Sequence, residues 1–376
     1  MFTYKKEIKH ELNYDVMVAG GGSSGCAAAL AVARGGLKTL IVESLGQLGG
    51  TGTSGLVSHW LGGRSKDCKK WIVGGIFKEM AMETAELGIS TIPEVPADGK
   101  LSPHGWGSIS ALTAGIPFDP FKMAAYLDEK MLQSKVDMLF FTQFVDVIKD
   151  DAGRKIKQAV IFNKSGFSLV NAGLFIDATG DADVAAASGC PYVKGRDKDN
   201  LCAPVTLEFI AENVDTDALS EYIHKNDSTR FLAEIKDLRE KGIWNFDYDR
   251  FITVMLSGDN EFMINTSRLC GVDGTDGASI SQAMVQGRKE TRELLDIICK
   301  HFPGFDHAKI KAVASLLGVR ETRRIKGEGY LSVADLCSGK SLPDIVGYSA
   351  YGWDLPDPKK PSIQPMDDRK EIIIIP

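Results

Sequence analysis

The sequence predicts an α/β protein with a central parallel sheet, and three observations carry that expectation. Asp15-Val16-Met17-Val18-Ala19 is a short apolar run of the kind buried on both faces of a parallel sheet. Cys26-Ala27-Ala28-Ala29-Leu30-Ala31-Val32-Ala33-Arg34 is rich in helix formers and stops at Gly35-Gly36. Lys38-Thr39-Leu40-Ile41-Val42 then reads as a second strand, closed by Glu43. Strand, helix and strand within about thirty residues make one βαβ unit.

The join between first strand and helix is Gly20-Gly21-Gly22-Ser23-Ser24-Gly25, which satisfies G-x-G-x-x-G. Gly20 permits the tight turn, Gly22 lets a pyrophosphate approach the backbone, and Gly25 lets the helix pack closely on the strand. The exposed N–H groups and positive end of the helix favour the diphosphate. Glu43 stands where a carboxylate accepts hydrogen bonds from the adenosine ribose hydroxyls, and it would repel a 2′-phosphate. The unit predicts dinucleotide binding. FAD and NAD share the ADP half, so the fingerprint alone serves either.

The rest of the composition limits the classes of function. A chain of 376 residues exceeds one small core. The 44% apolar and 25% charged content is that of an ordinary soluble protein. Lys and Arg number 44 against 50 acids, for a net charge of −6 without a basic run, so nucleic acid is not an expected partner. A small-molecule substrate is. The start lacks the apolar core of a secretory signal, and no apolar stretch approaches the roughly 20 residues that span a bilayer. Seven scattered cysteines, none in CxxC spacing, fit reduced thiols and a cytoplasmic location. None of the six histidines falls in HExxH, and no G-x-S-x-G occurs, so neither a metal site nor a hydrolase is expected.

Three later segments sharpen the cofactor. Ser44-Leu45-Gly46-Gln47-Leu48-Gly49-Gly50-Thr51-Gly52-Thr53-Ser54-Gly55 is a small-residue loop able to donate backbone N–H groups. Phe175-Ile176-Asp177-Ala178-Thr179-Gly180-Asp181-Ala182-Asp183 reads as a strand running into a second such turn. Gly318-Val319-Arg320-Glu321-Thr322-Arg323 fits G-x-R-E-(S/T)-R. In this order the chain resembles the FAD-dependent oxidoreductases related to fumarate reductase and succinate dehydrogenase flavoproteins. That resemblance implies a Rossmann-like, glutathione-reductase-type FAD fold with a small β insertion and a mixed α+β substrate domain. It implies that Gly20, Gly22, Ser24, Gly25 and Glu43 hold the ADP half of FAD. Gly49, Gly50 and Thr51 would lie along the ribityl and flavin portion. Val145 would meet the adenine through its backbone, with Thr179 and Gly180 near the adenosine end.

Domain boundaries follow the same reading: an FAD domain over 1–200, a substrate or cap domain over 201–315, and a return to the FAD domain over 316–376. A loop-rich insert is expected over about 66–117 and a hairpin over about 155–176. Helices are expected from Pro120, over 219–241 and over 279–299. Arg320, Arg323 and Arg324 are the candidate substrate-side cations. On a helix Arg320 and Arg323, or Arg324, would share a face and clamp a carboxylate or stabilise a developing oxyanion, with Glu321 orienting one of them. The alternative is a surface cluster of local salt bridges. His59 is a candidate on the substrate side, and His104 a weaker one.

The resemblance implies a further closing segment where this sequence ends at Pro376. A shortened chain, or closure by a partner subunit or a second copy, are the alternatives. The D-x-H step of relatives reads Asp354-Leu355-Pro356 here. The expected activity is hydride or electron transfer between a small polar metabolite, a carboxylate or sugar-like alcohol, and FAD. A non-catalytic or partner-completed flavin- or ADP-binding protein and an NAD-dependent dehydrogenase are the competing readings.

Overall fold

In the computed structural model the described residues are 5, 7–65, 67–94, 114–226, 228–258, 260–329, 331–332, 334–335, 345–351, 354–363 and the backbone of 373–375. The first strands are β1 (His10–Ala19), β2 (Thr39–Val42), β3 (His59–Trp60), β4 (Ile116–Pro117), β5 (Asp137–Leu139), β6 (Gln143–Lys149), β7 (Ile156–Asn163) and β8 (Gly166–Asp177). They continue as β9 (Tyr192–Lys194), β10 (Phe209–Glu212), β11 (Thr253–Met255), β12 (Phe262–Ile264), β13 (Lys309–Val313), β14 (Arg323–Ile325), β15 (Gly347–Ser349) and β16 (Ile373–Ile375). The helices are α1 (Ser23–Arg34), α2 (Gly75–Glu86), α3 (Pro120–Gln133), α4 (Asp183–Ala187), α5 (Thr216–Asn226), α6 (Leu232–Glu240) and α7 (Gly277–His301). The chain divides into two units, one comprising Met1–Ser54, Ala124–Lys194 and Glu321–Lys326, the other Gly55–Met123, Gly195–Arg320 and Gly327–Pro376. Residues 55–123 and 327–376 therefore fall with the second unit, not with the 1–200 and 316–376 blocks drawn along the sequence.

The first unit is built on a six-stranded sheet of order β5-β2-β1-β8-β7-β6. The pairs β1–β2, β1–β8 and β2–β5 are parallel, and β8–β7 and β7–β6 antiparallel. Val16 to Ala19 and Leu40 to Val42 are buried without alternation, as central parallel strands with both faces covered must be. From α1, Cys26, Ala29 and Leu30 are also buried. Val145 sits at a bulge in β6, where Phe144 and Asp146 pair with the adjacent Ile161 and Val160. The expected hairpin is present, but β8 is not confined to a small insertion. Its second half continues beside β1 from Val16↔Leu174 to Ala19↔Asp177.

The second unit holds an antiparallel sheet, β11-β12-β10-β13, with α5, α6 and α7. Its core is aromatic: Phe231 stacks on Phe302 at 4.4 Å between ring centroids, and Phe251 meets Phe302 edge-on at 5.0 Å. Buried Leu294 and Ile298 of α7 join them. Asp276 caps α7 by accepting from Ala278 N and Ser279 N. The helix expected over 219–241 is two, interrupted at Phe231 with φ 52°.

One local expectation is corrected. The 66–117 insert contains the twelve-residue helix α2, whose Met80, Ala81 and Thr84 are buried, while 95–113, including His104, lies outside the described residues. Helix α3 begins at Pro120, with Asp119 capping Phe121 N and Lys122 N. Its buried face is Met123, Ala124, Tyr126, Leu127 and Met131, whereas Phe121 and Leu132 are exposed. Among the described residues no helix is long and apolar enough to cross a membrane.

Candidate functional site

The Gly20–Gly25 turn forms a cradle in which space is divided unequally. A Cβ on Gly25 would lie 1.9 Å from the Gly20 carbonyl oxygen, and one on Gly20, at φ +99°, would lie 2.4 Å from the Ala178 carbonyl oxygen. Helix and turn are thus packed backbone to backbone. Gly22 is the opposite case, since a Cβ there would meet nothing within 4 Å. Gly22 is also the N-cap of α1, without a side-chain cap or an acid in the first turn. The first N–H groups of a twelve-residue helix are left for a ligand, and an anion is the ligand they favour. Ser24 is exposed in that turn.

The second glycine segment lies against the first. Gly49 N donates to Gly21 O at 2.8 Å, and Gly22 and Gly49 form a parallel bridge. Thr53 Oγ1 donates to Leu48 O at 2.5 Å and holds the loop, leaving Thr51 exposed. Glu43 is buried, and its Oε2 accepts Gly21 N at 2.6 Å. Its Oε1 accepts Leu45 N at 2.8 Å and Ser44 Oγ at 3.0 Å. A carboxylate offers about four acceptor sites. Glu43 therefore spends most of its capacity ordering both loops, a role the spacing argument did not contain.

Cys26 belongs to this cradle as packing. Its Sγ donates to Gly21 O at 3.2 Å, and burial pushes the thiol up to about 12, so it is not a nucleophile at neutral pH.

The Thr179–Gly180 turn is organised by groups that sequence reasoning passed over. Asp177 Oδ1 accepts Thr179 Oγ1 at 2.7 Å, and Asp177 Oδ2 accepts Ala185 N at 2.9 Å. The turn is then gripped from the G-x-R-E-T-R segment. Thr322 Oγ1 donates to Asp181 Oδ1 at 2.8 Å, while Arg323 Nη1 donates to Asp181 O at 2.9 Å and Asp183 Oδ1 at 2.7 Å. This segment is not helical. Arg323–Ile325 is strand β14, antiparallel to β9 through Arg323↔Lys194 and Ile325↔Tyr192. A helical Arg320–Arg323 face is therefore absent, and Arg323 braces the turn. Glu321 pairs locally with Arg324, Oε2 to Nη1 at 2.8 Å.

Arg320 falls in the second unit. Its Nη1 pairs with Asp354 Oδ2 at 2.9 Å, and Tyr351 Oη donates to the same oxygen at 3.2 Å. The Asp354 that opens the Asp-Leu-Pro step is thus the partner of Arg320. Arg268, nearly buried, lies over the Tyr248 ring at 4.3 Å and donates from Nη1 to Thr206 Oγ1 at 3.1 Å. Burial raises the Glu208 carboxyl well above the usual range, opposed by Arg268 and Arg320. Glu208 was the one signal available in sequence, a lone acid inside the apolar run Val205–Ile210.

His59 is corrected as an acid–base candidate. It is buried in β3 with Nε2 unpartnered, against Gly115, and burial lowers its pKa to about 3. Such an imidazole stays neutral at physiological pH. No cluster of three or more metal-ligating side chains occurs among the described residues.

Residues 15–372 match the family described as FAD dependent oxidoreductase. Similar folds occur in p-nitrophenol 4-monooxygenase PnpA from Pseudomonas putida DLL-E4, with TM-score 0.51 and 12% identity over 84% of this chain and 70% of that one. The flavin-dependent monooxygenase PieE, solved with FAD and substrate, gives TM-score 0.50 and 16% identity over 86% and 52%. A geranylgeranyl bacteriochlorophyll reductase-like protein from Thermoplasma acidophilum gives 0.46 and 15% over 82% and 66%. The chain thus spans between about half and seven-tenths of the length of these proteins.

Proposed function

The chain belongs to the FAD-dependent oxidoreductase family, with FAD as its cofactor, and on that premise we propose that it transfers hydride or electrons between a small carboxylate or sugar-like metabolite and FAD. The observation that carries the cofactor half is the uncapped start of α1 beside the open face of Gly22, flanked by glycines that admit no Cβ. When bound, the flavin supplies the redox chemistry, and the protein supplies binding, orientation and electrostatics.

In this reading the N–H groups at Gly22, Ser24 and Gly25 hold the pyrophosphate and Glu43 uses its remaining acceptor capacity on the ribose. The bulge at Val145 leaves backbone groups for adenine, and Thr179 and Gly180 face the adenosine end. Gly49, Gly50 and Thr51 follow the ribityl chain. Arg320, supported by Asp354 and Tyr351, binds the negative or electron-rich oxygen of the substrate, because a guanidinium presents several donors in one plane. Free cysteines at positions 26, 190, 270 and 299 support a cytoplasmic location as part of the same proposal.

The test is direct. Purified protein is expected to carry flavin absorption, with FAD identified in the released ligand by mass spectrometry. Anaerobic addition of hydroxycarboxylates and sugars in turn should bleach that absorption with one substrate class. Protein that binds FAD yet is bleached by no member of the panel would exclude this substrate class.

A further inference from the structure

Strand pairing in the second unit places a carboxyl group among guanidinium groups that do not bond to it. Thr206 exchanges backbone hydrogen bonds with Gly318 at 3.1 and 2.8 Å, and Val205 with Leu269 at 3.0 and 2.8 Å. Two residues on, the Glu208 carbonyl accepts Ala314 N at 2.9 Å. Alternation along this extended segment puts the Thr206 and Glu208 side chains on one face. Thr206 Oγ1 accepts from Arg268 Nη1, so the Arg268 guanidinium lies on that face too. The other Arg268 bonds go to Asn265 O at 3.1 Å, Asn265 Oδ1 at 2.8 Å and Ser267 O at 2.7 Å, and the Arg320 bond goes to Asp354. Glu208 is 1% exposed, and its Oε2 has no hydrogen-bond partner.

An ionised carboxylate in that position would give up its hydration without a hydrogen bond in return. A carboxylic acid would not. We propose that Glu208 is a positioning residue that carries a proton in the resting protein, leaving the positive charge of Arg268 and Arg320 for a carboxylate-bearing substrate, so that binding this anion is linked to the proton on Glu208. The inference rests on the substrate-side reading of Arg320 given above. Burial drives Glu208 in the same direction. The charged and titratable groups that act on it are Arg268 and Arg320; these in turn interact with Asp354, Tyr248 and Tyr351, and Tyr351 also with Arg230. With Glu208 neutral, two guanidiniums stand against the single carboxylate of Asp354. With Glu208 ionised, Glu208 and Asp354 together balance Arg268 and Arg320, and less positive charge is left to attract an anion.

The sign follows. The anion favours the protonated form, so affinity falls as rising pH ionises Glu208, by up to about tenfold per pH unit for one linked proton. The experiment is calorimetric titration of FAD-loaded protein with malonate, from neutral to alkaline pH, in wild type, Glu208→Gln and Arg320→Ala. Wild-type affinity should weaken with pH, Glu208→Gln should hold its affinity throughout, and Arg320→Ala should bind at least tenfold more weakly. A wild-type affinity without pH dependence, or a Glu208→Gln curve parallel to it, overturns the inference alone. Malonate binding that is absent, or indifferent to Arg320→Ala, removes the substrate-side reading and the inference with it. A second measurement needs no variant: at alkaline pH, binding heats in two buffers of different ionisation enthalpy should differ through proton uptake, and identical heats overturn it.

Discussion

Arg323 donates to Asp183 at 2.7 Å, joining residues 140 positions apart in the chain. The bond fastens the Asp177–Asp183 turn to strand β14, and with the Thr322–Asp181 bond it explains why a Thr-Arg pair follows the Arg-Glu of this motif. One short segment thus serves two purposes: Thr322 and Arg323 act within the first unit, and Arg320 within the second.

Arg323→Ala should therefore behave as a loss of the turn. Because Asp183 is half exposed, removal of the pair is worth about 1 kcal/mol. FAD content and melting temperature should fall together, while the KM of the protein that retains FAD stays unchanged. Steady-state kinetics normalised to bound flavin would show a raised KM if Arg323 instead held substrate.

Arg320→Ala is expected to do the reverse. Flavin content should match wild type, and kcat/KM should drop by about 100-fold, the scale of a lost charge-assisted bond. Full activity in this variant would end the substrate-side reading of Arg320.

The cradle predicts a contrast between two glycines. Gly25→Ala places a Cβ 1.9 Å from the Gly20 carbonyl, so the apoprotein itself should be destabilised. Gly22→Asp finds open space in the protein but sets a negative charge at the proposed pyrophosphate site. Its apoprotein should melt like wild-type apoprotein, and FAD should no longer raise the melting temperature. Equal FAD stabilisation of Gly22→Asp and wild type would place the diphosphate elsewhere.

His59 sets an acid limit on stability. Its imidazole is neutral when folded, with a pKa near 3, and ordinary at 6.5 when unfolded, so the unfolded chain takes up the proton first. Stability is fully present above 6.5 and is lost as pH falls below it, by about 2 kcal/mol between about pH 7.5 and 5 for this group. Urea unfolding across that range should show the slope in wild type and lose it in His59→Gln. An unchanged slope in the variant would assign the acid sensitivity to another group.

The sequence by itself determined the βαβ unit, the placement of Gly20, Gly22, Gly25 and Glu43 in it, a helix from Pro120 and a helix over 279–299, since each is governed by neighbours a few residues away. Caps, helix formers, apolar runs and glycines act at that range. What tertiary structure alone decided was which charges meet. Arg323 lies in a strand because of a partner near Tyr192, and Asp354 serves Arg320 from 34 positions downstream. Glu208 shares a face with Arg268 only because Val205 and Thr206 pair with Leu269 and Gly318, far along the chain. Strand pairing and ion pairing depend on distance in space, and a linear sequence reports that distance only where the chain is too short to stray.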